Sequence, residues 1–167
     1  MKGTDKFLIA IVVGVVILVA AAFALTLLRV NVPQYQAEDT PQGVVHNYLV
    51  ALQLDEYERA RSYLSPTLPG YPADADQFAA DVDRAPYQVG RYNDDLSLAV
   101  ESANVQGDKA GVTVRKTLFY RGGLFDSGES SYTFDVTVRR EGGAWKITAA
   151  EEYWSDCWTT RGSVYCR

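Results

Sequence analysis

Chemistry near neutral pH needs a nucleophile, an acid or base, or a ligand set, and this chain is sparing with all of them. It holds one histidine and two cysteines in 167 residues. His46 sits beside the apolar stripe of a helix. A lone general base needs a group to orient it, and a zinc-type site needs three or four ligands. His46 therefore reads as an exposed or half-exposed helix residue. Asp74, Asp76, Asp81 and Asp83 suggest a calcium loop, but Phe78 stands where an oxygen ligand belongs and the central glycine is missing. The expectation is a solvated helix face. The chain has no Cys-x-x-Cys-His, no phosphate-binding loop and no nucleophile elbow, so haem, nucleotide and serine-hydrolase roles are not read from it. No metal and no cofactor is expected.

Two inward-phase charges remain. Lys116 shares the phase of Val114 and Leu118, and Glu151 shares that of Trp145, Ile147 and Ala149. A buried Lys–Glu couple would perturb both ionisations and mark a site. The blander reading is a strand end that reaches solvent, or a salt bridge at the rim.

The cysteines offer a different chemistry. With Arg161-Gly162 as a two-residue turn, Trp158 faces Tyr165 and Cys157 faces Cys166. The cysteines then form a non-hydrogen-bonded pair with Cα atoms about 4.5 Å apart, at the short end of disulfide geometry. A disulfide-stapled hairpin over 157–166 is expected in an oxidising compartment, stabilising by about 2–3 kcal/mol. A longer loop with the same bridge, or two free thiols, are the alternatives. Phe119 and Trp154 fall in the outward phase of their strands, and with Trp158 and Tyr165 they would make an exposed partner patch. The alternative is that the tail folds back and covers it.

These residues need a scaffold, and periodicity outlines one. Thr40-Pro41 reads as an N-cap with proline in the first turn. Val45, Tyr48, Leu49 and Leu52 follow at helical spacing. A second short helix begins near Asp55, with Tyr57, Ala60, Arg61 and Leu64 on one stripe, and Ser65-Pro66 ends it. A weaker third spans 73–84. From Leu96 the period becomes two, and four alternating segments follow, broken at Gly107-Asp108, at the glycines 122, 123 and 128, and at Glu141-Gly142-Gly143. One apolar and one Thr-rich face predict an antiparallel meander covered on one side. The fold class expected is α+β, with three helices packed on a four-stranded antiparallel sheet.

Upstream, 7–28 (FLIAIVVGVVILVAAAFALTLL) carries no charge, and its 22 residues reach about 33 Å as a helix, enough for a hydrocarbon core of about 30 Å. A signal peptide carries a shorter apolar run, although Ala20–Ala22 resembles a cleavage motif. The expected organisation is a cytoplasmic stretch 1–6, a transmembrane helix 7–28, a linker 29–39 and an extracytoplasmic domain 40–167. Lys2 and Lys6 place the N-terminus inside. Ala10 with Gly14, and Ala20 with Ala24, are small-residue pairs at which another helix could pack. The full chain carries −5 from 16 basic and 21 acidic residues. Without Lys2, Lys6 and Asp5 the external part carries −6, which disfavours nucleic acid and anionic headgroups as ligands. With no Asn-x-Ser/Thr sequon, a bacterial cytoplasmic membrane is expected.

TPQGVVHNYLVALQLDEYERARSYLS resembles the first helix pair of the NTF2-like (cystatin-like, SnoaL-like) superfamily, and Gly-Gly-x-Trp-Lys-Ile is similar to its last hairpin. The resemblance covers about residues 40–155 and implies a cone of helices on a curved sheet. Enzymes of the superfamily place an acid or base inside the cone, where Lys116 and Glu151 would be the candidates. An anchor before such a domain also resembles VirB8-type secretion components and Mce-associated membrane proteins, which assemble with partners and catalyse nothing. The function expected is a non-catalytic accessory or assembly subunit of a membrane complex, in electron transfer or secretion, with the bilayer and other subunits as partners. A small-ligand-binding module and an isomerase- or hydrolase-type enzyme are the alternatives.

Overall fold

The computed structural model describes residues 4–28, 33–84, 96–121 and 127–160. The chain forms two compact units, Met1–Pro33 and Gln34–Arg167. In the first, α1 runs Thr4–Leu28. Its described side chains, 8–23, are apolar throughout and all exposed. Those 16 residues extend about 24 Å at 1.5 Å per residue; among the described residues no helix is long and apolar enough to cross a membrane.

The second unit is α+β. Helices α2 (Pro41–Gln53), α3 (Tyr57–Tyr63) and α4 (Ala75–Asp83) precede β1 (Leu96–Gln106), β2 (Lys109–Arg121), β3 (Ser127–Glu141) and β4 (Ala144–Ala150), and a short α5 (Asp156–Thr159) follows. The strands form one antiparallel sheet in the order β1-β2-β3-β4. Local signals start α2 and α4. Thr40 caps α2 through Gly43 N–H, with Pro41 in the first turn, and Asp74 caps α4 through Gln77 N–H.

The apolar faces meet in one core. Val44, Val45, Tyr48 and Leu49 of α2 cluster with Val112, Val114, Phe134, Val136, Val138 and Ile147 of the sheet. Beyond β4, Leu64 bridges to Ile147 and Ser65 N–H donates to the Ile147 carbonyl at 2.8 Å. The Ser65 hydroxyl is in turn bound to both carboxylate oxygens of Glu141. The segment after α3 is thus sewn along the β4 edge, which withdraws that edge from pairing with another chain.

Two bulges reset the alternation on which the sequence reading relied. On β1, Val100 faces Val114 but Ser102 faces Thr113. On β4, Ile147 faces Val138 whereas Ala149 faces Thr137 and Ala150 faces Val136. One extra residue in a strand moves everything after it to the other face.

The tail departs from the expected hairpin. Residues 156–159 form a helical turn, not a strand: the Ser155 hydroxyl accepts from Cys157 N–H and Asp156 lies in the first turn. Serine followed by aspartate is a helix-start signal, and it prevails over the strand expected at Cys157 and Trp158. Among the described residues there is no free cysteine. Cys166 and Tyr165 lie outside the described residues, as does the proposed Arg161-Gly162 turn.

The turn is seated closely. Gly70 N–H donates to the Trp158 carbonyl at 3.1 Å, and a β-carbon at Gly70 would overlap the Cys157 carbonyl oxygen. Backbone yields little, so Gly70→Ala is expected to destabilise the domain by about 1–3 kcal/mol, read as a lower midpoint of urea unfolding. The solvent-facing Gly142, in a turn and with open space around it, is a poor control because its φ of +58° strains any side chain. Gly111, with open space and no positive φ, is the better one.

Candidate functional site

Lys116 is the buried cation of the sheet's inner face, with 8% of its surface exposed. Its β2 position pairs with Leu98 on β1 and Tyr132 on β3. The ammonium donates to Glu152 Oε2 at 2.7 Å, and lies 5.1 Å from the Tyr153 ring centre and 5.5 Å from that of Tyr132. A carboxylate on one side and ring faces on the others suit a cation removed from water. Burial opposes the charge, but the hydrogen bonds to Glu152 and Tyr132 outweigh it and hold the lysine above its ordinary value. Burial also raises the Tyr153 hydroxyl, against the pull of Lys116.

The expected partner was Glu151, and the structure corrects this. Glu151 is exposed and turned to the outer face, where its carboxylate accepts from Asp135 N–H at 2.9 Å. The bulge on β4 is the cause, since it exchanges the phases of 151 and 152. A second local feature completes the site. Tyr153 has a φ of +55°, costly for a bulky residue. Neighbours along a strand point to opposite faces, and this left-handed residue lets both Glu152 and Tyr153 reach Lys116. The Tyr48 hydroxyl holds the turn by donating to the Tyr153 carbonyl at 2.5 Å. Glu152, Tyr132, Tyr153 and Tyr48 were not legible as site residues: a bulge leaves no mark among the small residues Ala149 and Ala150.

Behind this group the interior is filled by rings. Trp158 stacks on Phe78 at 5.0 Å and meets Trp154 edge-on at 5.0 Å, and Phe134 packs on Tyr153 at 5.7 Å. Of the candidate partner patch Phe119, Trp154, Trp158 and Tyr165, Trp154 and Trp158 are buried at 3% and 0%, the covered alternative. The tail folds back and takes them into the core. Phe119 alone of the described three is exposed.

Asp81 also departs from the solvated helix face expected for the acidic residues of 73–84. It is 3% exposed and accepts from Trp158 Nε1–H at 3.1 Å, with Arg84 3.5 Å away. Its role is to tie the tail to α4. Asp74 is the α4 cap. Among the described residues no group of three or more His, Cys, Asp or Glu is placed to hold a metal ion. His46 is half-buried and its Nε2 lies 2.9 Å from the Gln34 carbonyl. Ala10, Gly14 and Ala20 are exposed on α1, with nothing within 4 Å of where a Gly14 β-carbon would be; the side chain of Ala24 lies outside the described residues.

On the outer face, an open groove of about 420 Å³ is lined by Asn104, Gln106, Gly111, Thr113, Asp135 and Thr137 among others. Within it Thr113 donates to Asp135 at 2.8 Å. It lies on the side of the sheet away from Lys116.

No family model matches this chain, and no curated protein matches it. Solved structures do. A SEC-C motif containing protein from Rhodopseudomonas palustris is 17% identical with a TM-score of 0.48, covering 70% of this chain and 81% of that one. A structure titled as a calcium/calmodulin-dependent protein kinase type II association domain, from Thiobacillus denitrificans, is 15% identical with a TM-score of 0.45, covering 66% and 91%. A protein of unknown function from Mycobacterium tuberculosis is 14% identical with a TM-score of 0.43, covering 65% and 66%. At these scores the likeness carries no functional argument. The α+β architecture rests on the chain's own strands and helices.

Proposed function

We propose that this protein is a non-catalytic, single-pass membrane subunit whose NTF2-like domain serves assembly in a larger membrane complex. The observation that carries the reading is the occupied interior. Tyr48, Tyr153, Trp154 and Trp158 fill the space between helices and sheet, and Lys116, the inward cation, is already matched by Glu152. An enzyme or small-ligand site of this kind needs a concave space with unsatisfied polar groups converging on it. Here the polar group satisfies itself.

Two features support the membrane part. Helix α1 is 25 residues long, and its described side chains are apolar and exposed all round. Such a helix needs lipid or another protein around it. Lys2 and Lys6 before it put the N-terminus in the cytoplasm and the domain outside, where an oxidised Cys157–Cys166 pair would persist. The bacterial cytoplasmic membrane fits this topology, with bilayer lipid and neighbouring subunits as partners and no cofactor.

The test is alkaline carbonate extraction of native membranes, followed by native electrophoresis of a mild detergent extract. Retention in the pellet and migration far above the 18.5 kDa chain mass are expected. Release by carbonate, or migration at the monomer's mass, contradicts the reading.

A further inference from the structure

Glycine inside a strand weakens it. Where no turn or close contact demands one, it marks a place that a ligand or another backbone approaches. Gly111, within β2, is such a glycine: its φ is not positive, and a β-carbon there would have open space around it. It pairs with Asn104 on β1 and Thr137 on β3, and it lies in the groove of about 420 Å³ on the outer face of the sheet.

One end of this groove is cationic. Lys109 on β2 stands directly opposite Arg139 on β3, and both are exposed. Like charges facing each other across a ladder repel. Among the described residues neither is within ion-pair distance of a carboxylate. Lys146, next in the row on β4, is a third cation and donates to the Ser62 carbonyl at 2.6 Å. In a chain of net charge −5 this row is complementary to an anion from outside, which would relieve the repulsion. At the other end, Asp135 accepts from Thr113, four residues and about 14 Å along β2 from Lys109.

Between the ends stand two amides. Asn104 and Gln106 line the groove two residues apart, about 6.8 Å along β1. Same-side peptide groups of an extended chain repeat at that distance. The domain uses this chemistry once already. Asn47 on α2 accepts from Gln36 N–H at 2.7 Å and donates to the Gln36 carbonyl at 2.9 Å, and the Ala37 carbonyl lies so close to Gly43 that a β-carbon there would overlap it. An amide and a glycine thus seat a passing backbone. Asn104 beside Gly111 repeats the pairing on the outer face.

We propose that the groove receives an extended acidic peptide segment of a partner protein. Its backbone lies over Gly111 against the Asn104 and Gln106 amides, and its carboxylate sits between Lys109 and Arg139. The inference deepens the assembly reading and rests on it for the source of the segment, a neighbouring subunit.

The test uses the full chain in dodecyl maltoside and two fluorescein-labelled peptides, Glu-Glu-Thr-Val-Thr-Thr and Lys-Lys-Thr-Val-Thr-Thr, followed by anisotropy. The acidic peptide is expected to bind saturably and about ten-fold or more tighter than the lysine peptide. Lys109→Glu combined with Arg139→Glu should weaken it by a similar factor. Gly111→Thr should do the same while the urea midpoint stays or rises, since threonine suits a strand better than glycine. Equal binding of the two peptides, or binding that neither variant weakens, overturns the proposal. Binding lost on charge reversal but kept by Gly111→Thr reports a bare anion patch and overturns it too. Native electrophoresis separates the two readings. A chain that migrates alone yet binds the acidic peptide removes the assembly reading and leaves the groove, whereas a complex that survives both variants overturns the groove's part in assembly.

Discussion

Trp158→Ala is expected to cost about 3–5 kcal/mol of domain stability, the range for removing a buried tryptophan. The side chain is 0% exposed, stacked on Phe78 and edge-on to Trp154. Its removal also takes away the indole N–H that Asp81 accepts, leaving a carboxylate that is 3% exposed without that donor, which adds to the penalty. Domains of this size hold only about 5–15 kcal/mol in total, so the variant sits near unfolding. Trp158→Phe keeps an aromatic ring and loses the donor, and is expected to cost about 1–3 kcal/mol. Urea unfolding followed by circular dichroism checks the order. A Trp158→Ala cost below about 1 kcal/mol would mean that the tail does not belong to the core.

Glu152→Ala is expected to cost about 2–3 kcal/mol. Breaking a fully buried pair costs about 3–5 kcal/mol, and this one is less than fully buried, since Glu152 keeps 19% of its side chain exposed. Glu151→Gln, one position away, is expected to change stability by less than about 0.5 kcal/mol, because Glu151 is exposed. The contrast separates the observed pair from the one that strict alternation predicts. Alkaline titration adds a signature. The folded lysine titrates above its ordinary 10.5, so its contribution is complete below that value and is lost as pH rises through the higher folded one. The stability gap between wild type and Glu152→Ala should therefore hold from neutrality to about pH 10 and narrow above it. A gap that stays constant to higher pH would place its origin elsewhere than in the ion pair.

Much of the frame was legible because it rests on periodicity and capping. Thr40-Pro41 starts α2 where expected, and Gly107 and Gly142 adopt the positive φ that their turns require. The α+β order and the four-stranded meander follow from a period that changes from helical to alternating near Leu96. Single-residue irregularities were not legible. The bulge beyond Ile147 exchanged Glu151 for Glu152, and no residue type announces it. The tail was read as a hairpin by pairing residues outward from an Arg161-Gly162 turn, while Ser155-Asp156 starts a helical turn. The seating of residues 36 and 37 was not legible for a related reason: their segment has no period, and what fixes them is Asn47 and Gly43 on the next helix. An asparagine on an apolar stripe and a glycine in a first turn are signals of close backbone approach.

The proposed function takes the Lys116 group as structural. Evolving a base inside the domain would require a charge without a partner facing an open space. Here the carboxylate, both rings and the strained Tyr153 turn converge on one ammonium, and the indoles occupy the volume behind it. On that proposal, function belongs to the outside of the domain and the apolar helix.

The most direct test of that conclusion is to purify the tagged full-length protein from its native membrane in a gentle detergent and identify what accompanies it by mass spectrometry. A stoichiometric set of membrane proteins is predicted, retained equally by the Glu151→Gln variant. A chain that elutes alone, without membrane partners, would contradict the account.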